Sequence, residues 1–356
     1  MRRRTCGTVR LVALKIGIGL FTGQVPPGST RTFDQEYREM LDLVRLAESL
    51  RFDSAWVSEH HGAGDGYLPS LLPVLAGFAA ATDRIKLGTG VMLAPFHDPL
   101  RLAEDAAVVD LLSGGRLILG LGLGWREEEF RMFGVPFGER LRRTIEAVEI
   151  LRLAWTGERF SYEGKVHSYD RVKVTPRPSR PGGPPIFLGG MTPAAVRRAG
   201  RLGDGYIRSR GGWVDQMRRD LQLAEEGARG AGKDPSSMPF AQLQNAFVWE
   251  DGDAWEVVRE GAAHHIGVYG GWAAGGDTPE QGFLVAPPDE QTLRRITPSG
   301  TPKEVARELR PLVEAFAHRQ EFHLIVRLHY PGMDFDTASR AIELFAEGVI
   351  PALKGR

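Results

Sequence analysis

The sequence predicts an α/β fold, a (β/α)8 barrel of the TIM type formed by a chain of 356 residues. Short apolar runs alternate with runs of helical period, which is typical of parallel strands joined by right-handed crossovers. Eight such strands and this length suit a TIM barrel. A doubly wound open sheet is the alternative, but no GxGxxG run opens its first crossover.

The predicted strands are each followed by a loop and, in most cases, by a helix. Strands are predicted at 15–21, 53–58, 85–93, 116–122, 185–188, 204–207, 241–249 and 322–328. Helices are predicted at 34–50, 70–82, 99–112, 138–156, 193–202, 213–231, 302–318 and 335–347. Two boundaries carry clear signals, because Thr192-Pro193 pairs an N-cap with an N1 proline and Gly114-Gly115 ends a helix.

Two excursions interrupt this alternation without dividing the chain, so we expect one domain over residues 1–356. The first follows strand 4 at 158–185 and contains two short strand-like pieces, at 160–162 and 172–174. The second follows strand 7 at 262–298 and is a candidate lid. Residues 1–14 are expected to be an N-terminal extension.

Composition narrows the class of protein. Forty-five basic residues balance forty-five acidic ones, which argues against a partner such as nucleic acid or an anionic membrane surface. The single cysteine, Cys6, excludes an intramolecular disulfide and favours the cytoplasm. The apolar run after Arg2–Arg4 resembles a signal peptide, but Lys15 interrupts it and the alternation indicates a strand. No apolar stretch is long enough to cross a bilayer.

Active sites of TIM barrels lie at the carboxyl ends of the strands. In this sequence those ends carry Ser58–His61, Ala94–His97, Gly122–Arg126, Gly189–Thr192 and Arg327–Tyr330. The aromatic residues Phe21, Phe96, Trp125 and Tyr330 suggest an apolar substrate pocket there, although core packing explains some of them equally well.

Histidines at these ends allow two interpretations. A metal site would need convergent ligands from several strands, such as His97 and His329. Glu59, His60 and His61 are adjacent, however, and neighbouring residues of an extended segment point in different directions. We therefore predict no metal, and hydrogen-bonded histidines at a polar barrel mouth remain the simpler alternative.

The loop after strand 5 has the features of a phosphate cradle. Gly189 and Gly190 let the backbone approach an anion, while Thr192 and the following helix N-terminus supply hydrogen-bond donors. An ordinary strand-to-helix turn with a good cap explains the same residues equally well.

Five stretches, in order, resemble the luciferase-like monooxygenase family, which comprises bacterial luciferase and its flavin-dependent relatives. They are 52–61, 85–91, 112–117, 129–134 and 186–190. Each stretch is a weak signal alone, but their common order makes the resemblance specific. It extends from about residue 15 to 350.

The resemblance implies a TIM barrel that binds reduced FMN or, in a sister branch, the deazaflavin F420. It implies that His60 is the catalytic acid or base and that His61 faces the substrate. A non-prolyl cis peptide bond is implied at Gly90-Val91, beneath the cofactor ring. The implied cofactor contacts are Glu59, Gly90, Val91, Gly122, Gly189, Gly190, Met191 and Thr192.

The Glu-His-His triplet resembles the flavin-using branch, so the expected function is a monooxygenase using reduced FMN and O2 on a small organic substrate. The resemblance implies a separate NAD(P)H:flavin reductase as partner and a homodimer. Two departures concern the cofactor. Gly122 and Leu123 replace a cysteine and an arginine of luciferase, and Gly189-Gly190 replaces a Glu-Ser pair. The alternatives are an F420-dependent hydride-transferring oxidoreductase and a flavin-binding barrel without turnover.

Overall fold

The computed structural model describes residues 13–208, 214–273 and 289–355. Its main sheet is a closed barrel of eight parallel strands, because the first strand pairs with both the second and the last. The third barrel strand is in two pieces, β3 and β4, which both pair with β5. The barrel strands are β1 Ala13–Phe21, β2 Ser54–Val57, β3 Lys86–Thr89, β4 Met92–Leu93, β5 Leu117–Gly122, β8 Ile186–Gly189, β9 Gly205–Arg208, β10 Phe240–Asn245 and β13 Glu321–Arg327. The predicted TIM barrel is confirmed.

Helices lie between the strands and cover the outside of the barrel. Their bounds are α1 Phe33–Ser49, α2 Leu71–Ala81, α3 Pro99–Leu112, α4 Glu127–Met132, α5 Arg140–Ala154, α6 Pro193–Leu202, α7 Val214–Gly230, α8 Ala254–Ala273, α9 Glu290–Ile296, α10 Pro302–Ala315, α11 Phe335–Leu344 and α12 Ile350–Leu353. Several begin at the residue type that caps helices best. Thr32 and Thr301 each form a full capping box, and Asp98 and Asp334 accept hydrogen bonds from the first turn.

The two predicted excursions differ from expectation in detail. Residues 158–185 contain an antiparallel hairpin, β6 Phe160–Glu163 and β7 Ser168–Val172, so the second strand lies earlier than the expected 172–174. Its Tyr169 Oη donates to Asp98, which ties the hairpin to the start of α3. The segment 262–298 begins as a continuation of α8 and contains α9 near its end. Residues 274–288 of that segment lie outside the described residues.

Two further pairs of short strands lie outside the barrel. The first is the hairpin, and the second joins β11 Phe247–Val248 to β12 Ser299–Gly300 in parallel. This second pair brings the chain after β10 next to the start of α10. At the amino terminus β1 begins at Ala13, inside the expected extension 1–14, and residues 1–12 lie outside the described part.

Side chains fill the inside of the barrel rather than leaving a channel. A small apolar cluster occupies the interior, formed by Trp56, Ile118, Phe187, Ile207, Ala241, Leu243 and Ile325. Leu20 and Val91 pack against this cluster and are only partly buried. A second, larger core lies between the barrel and its helices. Since strand residues alternate between faces, the two cores divide the apolar residues of each strand between them.

Non-prolyl cis peptide bonds precede both of those partly buried residues. One joins Gly19 to Leu20 and the other joins Gly90 to Val91. The second is the bond that the resemblance implied, and it lies where the third strand is divided into β3 and β4. In the described part of the chain, no helix has the length and apolar character needed to span a membrane.

Candidate active site

His60 lies just beyond the carboxyl end of β2, inside a group of aromatic side chains. Its ring centroid is 4.9 Å from that of Tyr67, 5.2 Å from Tyr269, 4.7 Å from Trp272 and 6.3 Å from Trp125. We call Tyr67, Trp125, Tyr269 and Trp272 the aromatic box. The His60 side chain is buried, so this box excludes most water from the imidazole.

One nitrogen of His60 is held by a carboxylate. Nδ1 lies 2.8 Å from Oε1 of Glu129, a buried residue of α4. Because a carboxylate only accepts hydrogen bonds, this contact places the proton of a neutral imidazole on Nδ1. The other nitrogen, Nε2, has no hydrogen-bond partner among the residues that the structure describes. That leaves Nε2 as a base inside the aromatic box.

A second carboxylate, Asp65, contacts the segments that carry the aromatic box. It is fully buried and accepts hydrogen bonds from Gln24 Nε2 at 2.5 Å and from the Tyr67 backbone at 3.2 Å. Its Oδ2 also lies 2.9 Å from Nε2 of His264 on α8. The Tyr67 and Tyr269 hydroxyls are 2.8 Å apart. These contacts join the loop after β2 to α8.

Arg126 closes one side of the box. Its Nη1 donates to the His61 carbonyl at 2.7 Å, and its guanidinium lies 4.6 Å from the ring centroid of Trp272. The same side chain forms an ion pair with Glu128. Arg126 therefore fixes Trp272 relative to the backbone that carries His60.

Glu59 is an expected cofactor contact, but in the structure its carboxylate contacts other protein groups. Its Oε1 lies 2.7 Å from His61 Nε2 and 3.3 Å from His97 Nε2, while Oε2 accepts the Leu93 N–H at 2.8 Å. Burial alone raises the pKa of Glu59, but the hydrogen bonds and charges of the two histidines lower it to about 2. This ionised group joins the end of β2 to β4, so its contacts position the backbone rather than face the mouth.

The structure separates the expected substrate residues into three places. Trp125 lies beside His60, as a pocket residue should. His61 points to the other side, against Phe96 at 5.7 Å and Phe133 at 4.6 Å between ring centroids. Tyr330 is fully buried and its hydroxyl donates to the Ala246 carbonyl at 3.2 Å. The structure therefore does not bring His61, Phe96 and Tyr330 together with Trp125, and their role as substrate residues stays a prediction.

The floor of the mouth is apolar and depends on glycine. Val91 lies between the ends of β5 and β8, and a Cβ on Gly122 would come within 2.5 Å of its Cγ2. A Cβ on Gly189 would lie 3.2 Å from Val91 Cγ1. Larger residues at these positions would displace Val91. Gly122 and Gly189 therefore shape the floor formed by Val91 and Leu20.

The rim after β8 has the cap that the sequence predicted. Thr192 Oγ1 accepts the Ala195 N–H at 3.3 Å at the start of α6, and the Gly190 carbonyl accepts the Tyr206 hydroxyl at 2.8 Å. A Cβ on Gly190 would come within 2.6 Å of the Ala195 side chain, which explains glycine there. Met191 is 58% exposed on this rim. These contacts are those of a capped turn. Phosphate binding by this rim stays a prediction.

The end of β13 carries buried charges. His329 Nε2 lies 3.6 Å from Oε1 of Glu36, which forms an ion pair with Arg31 at 3.1 Å. Burial, and then the positive charges of Arg327 and Arg31, lower the pKa of His329 to about 4. Burial raises the pKa of Glu36 to about 7 against the influence of Arg31. At neutral pH His329 is uncharged, so it is a packing residue of this polar cluster.

Within residues 13–208, 214–273 and 289–355, no group of three or more His, Cys, Asp and Glu side chains is arranged to hold a metal ion. His97 and His329 contact different carboxylates, Glu59 and Glu36.

Several site residues were not singled out from the sequence. Glu129 stands in a stretch that carried the resemblance, but nothing in the local pattern connects it with His60, which is 69 positions away. Tyr67, Tyr269 and Trp272 belong to a Gly-rich loop and to the segment considered as a lid. Only the tertiary fold brings these residues together.

Comparison with known proteins identifies the family. The sequence model described as luciferase-like monooxygenase matches residues 14–319. The chain belongs to the luciferase-like monooxygenase family. Among solved structures, monooxygenase RslO1 from Streptomyces bottropensis is similar with a TM-score of 0.78 and 28% identity, covering 95% of this chain and 99% of that one.

Two curated relatives match over nearly the whole chain. One from Kineococcus radiotolerans is 30% identical and covers 96% of this chain and 97% of its own length. One from Nocardia farcinica is also 30% identical, with 89% and 94% covered. Both are named F420-dependent glucose-6-phosphate dehydrogenase. This chain is thus an oxidoreductase. The expectation of a two-component monooxygenase that uses reduced FMN and O2 is wrong, and these relatives favour the F420 alternative.

Proposed function

We propose that this chain is an F420-dependent oxidoreductase that oxidises an alcohol group of a small substrate by hydride transfer. The observation that carries the proposal is the 30% identity over 96% of the chain to a relative named for that cofactor and for dehydrogenase activity. The arrangement at His60 supports it, because a dehydrogenase of this kind needs one base beside an apolar cofactor floor.

The residues at the mouth fit a planar cofactor. Leu20 and Val91 form an apolar floor that is only partly buried, and the glycines at the ends of β5 and β8 keep it clear of side chains. The rim from Gly189 to Thr192 is the place where we propose that the anionic tail of F420 is held. Bound there, F420 would supply the hydride acceptor.

His60 would handle the proton of the reaction. Oxidation of an alcohol to a carbonyl releases a hydride from carbon and a proton from oxygen. Nε2 of His60 is the group that takes the hydroxyl proton, since Nδ1 is committed to Glu129. Glu129 then stabilises the imidazolium that forms and keeps the ring oriented.

The aromatic box would exclude water from this step. Tyr67, Tyr269 and Trp272 surround the imidazole, and two of them come from α8, at the start of the segment 262–298. In a dry site the interaction between His60 and Glu129 is stronger than in water.

We also propose that the protein forms a homodimer and is located in the cytoplasm.

The test is an anaerobic titration of the purified apo-protein with F420, FMN and reduced FMN, followed by tryptophan fluorescence. We expect F420 to bind at micromolar concentration or tighter and FMN at least tenfold more weakly. Glucose 6-phosphate and uncharged alcohols are then screened for loss of the absorbance of oxidised F420. Binding of reduced FMN with oxygen consumption, and no binding of F420, would overturn the proposal.

A further inference from the structure

At the carboxyl end of the barrel, the buried guanidinium of Arg327 has no counter-charge among the described residues. Arg327 is the last residue of β13 and is 3% exposed. In the parts of the chain that the structure describes, its side chain forms neither an ion pair nor a hydrogen bond, and Nη2 is buried without an acceptor. Tyr330 is the aromatic ring beside it, with 6.0 Å between its ring centroid and the guanidinium carbon.

An isolated buried charge of this kind is costly. Removing an ion from water carries a penalty of several kcal/mol, which proteins usually offset with a partner or with several hydrogen bonds. Other buried arginines of this chain follow that rule. Arg319, for example, pairs with Glu225 at 2.6 Å and donates to the carbonyls of Pro235 and Met238. Arg327 departs from the rule at the carboxyl end of a barrel strand, where ligands bind.

The guanidinium also acts electrostatically on a residue that contacts the base. Its positive charge acts against burial in setting the pKa of Tyr67, and Tyr67 contacts the His60 ring. The acidic groups on this side have other partners, since Asp65 is bonded to Gln24 and His264 and Glu36 is paired with Arg31. Arg327 therefore exerts a positive charge on Tyr67 of the aromatic box, and none of the described residues pairs with it.

We infer that Arg327 is the receptor for an anionic group of the substrate, a phosphate or a carboxylate. The inference rests on the proposed function for the identity of the reaction, and it adds the class of molecule that is oxidised. A bound oxyanion would accept hydrogen bonds from Nη1 and Nη2 and supply the missing counter-charge. It would also hold the alcohol group of the same molecule at His60.

The first arm of the test uses inorganic phosphate on the apo-protein, at constant ionic strength, followed by melting temperature and tryptophan fluorescence. We expect a saturable rise in melting temperature for the wild type. Arg327→Met should raise the half-saturating phosphate concentration at least tenfold, the loss typical of a charge-assisted hydrogen bond. Arg327→Lys keeps the charge and should retain part of the response. Arg259→Met removes one exposed arginine of α8, paired with Glu256, and should respond like the wild type.

The unliganded variants give a second readout. A structural arginine would lower the melting temperature when replaced, whereas Arg327→Met should melt at or above the temperature of the wild type because an uncompensated charge has been removed. A clear loss of stability in the unliganded Arg327→Met variant, together with an unchanged phosphate response, would overturn the inference. So would a wild type that shows no saturable response to phosphate.

The second arm identifies the source of the anion. F420 is titrated into the wild type and into Arg327→Met, and we expect the two dissociation constants to agree within about threefold. If Arg327→Met loses F420 affinity by tenfold or more, Arg327 binds the cofactor, and the inference that it binds the substrate is overturned. If the wild type fails to bind F420 while phosphate binding still depends on Arg327, the proposed function fails and the anion receptor stands.

Discussion

Two buried arginines lie at opposite ends of the barrel, and their surroundings differ completely. Arg116 directly precedes β5 at the amino end and is 7% exposed, while Arg327 ends β13 and is 3% exposed. Arg116 donates five hydrogen bonds of 2.6 to 3.0 Å. Their acceptors, all on neighbouring turns, are Ser113 O, Thr82 Oγ1, Ile85 O, Ala79 O and Thr82 O. Arg327 has no such partners in the described residues.

The difference shows how the barrel divides stability from activity. At the amino end, polar side chains form hydrogen bonds with backbone groups that have no partner within their own helix or strand. Arg116 donates to carbonyls at the end of α2. Glu48 accepts from the N–H groups of Asp83, Arg84 and Ile85. At the carboxyl end, His60 Nε2 and Arg327 Nη2 have no hydrogen-bond partner among the described residues, and we propose that a ligand supplies one for each. Substitutions at the two ends should therefore affect different measurements.

The largest effect is expected at the carboxyl end, for His60→Ala. If His60 takes the substrate proton, turnover with F420 should fall by a hundredfold to ten-thousandfold, about 3 to 5 kcal/mol in the barrier. F420 affinity should change little, and the melting temperature should fall, because Glu129 loses its contact with the buried ring. Steady-state kinetics, F420 titration and thermal unfolding check these three expectations on the same preparation.

His61→Ala is the matched control, because His61 is the next residue and is equally buried but faces Phe96 and Phe133. It should reduce turnover much less and should lower stability, since Glu59 loses its contact with His61. Turnover that survives in His60→Ala, or a larger loss in His61→Ala, would place the proton transfer elsewhere.

At the amino end, Arg116→Met should have the opposite profile. It leaves four buried carbonyl oxygens and a hydroxyl without their donor, and we expect a loss of about 3 kcal/mol or more in the free energy of unfolding. Turnover per folded molecule should equal that of the wild type. Urea unfolding and active-site titration with F420 measure the two quantities, and normal stability in this variant would remove the contrast with Arg327.

The sequence alone was sufficient for the barrel because strand and helix periods are local. All eight strands lie within a few residues of their predicted positions, and the Thr192 cap is present. The first strand of the hairpin lies where it was predicted, but the second begins at Ser168 and was misplaced, since both strands are short, partly exposed and pair only with each other. No alternation of apolar residues marks such strands.

The site was predictable only in part. The resemblance selected His60, and the adjacency of His60 and His61 in the segment after β2 predicted that they face different ways. The groups that activate His60 come from distant elements, Glu129 from α4 and Trp272 from α8, and no spacing rule connects them. Arg327 stood among the predicted strand ends, but its importance depends on the absence of partners in the described residues, which a sequence does not show.

A smaller effect is expected from pH at the polar cluster near β13. His329 has a pKa of about 4 in the folded protein, below its usual value near 6.5, so the unfolded chain binds more protons between these values. Its contribution to stability is present above pH 6.5 and is lost as the pH falls towards 4, by at most about 3 kcal/mol. Urea unfolding between pH 7.5 and 4.5 should show a smaller acid loss for His329→Gln than for the wild type.

Glu36 is expected to change stability with pH in the opposite direction to His329, over a similar pH range. Its folded pKa of about 7 lies above the usual value near 4.5, so its contribution is present below pH 4.5 and is lost as the pH rises to 7. Glu36→Gln should therefore steepen the acid loss that His329→Gln reduces. Identical pH profiles for the wild type and both variants would mean that neither group titrates as this cluster indicates.

The smallest effect concerns the rim after β8, where a capped turn and a phosphate cradle share the same residues. Thr192→Ala removes the cap to Ala195 and should cost about 1 kcal/mol of stability. Thr192→Asp separates the two roles, because aspartate is a good N-cap but places a negative charge where an anionic tail of F420 would lie. We expect this variant to keep its melting temperature and to bind F420 at least tenfold more weakly, whereas Thr192→Ser, the matched control, keeps both. If Thr192→Asp binds F420 like the wild type, the rim is only a well-capped turn and the anionic tail is held elsewhere.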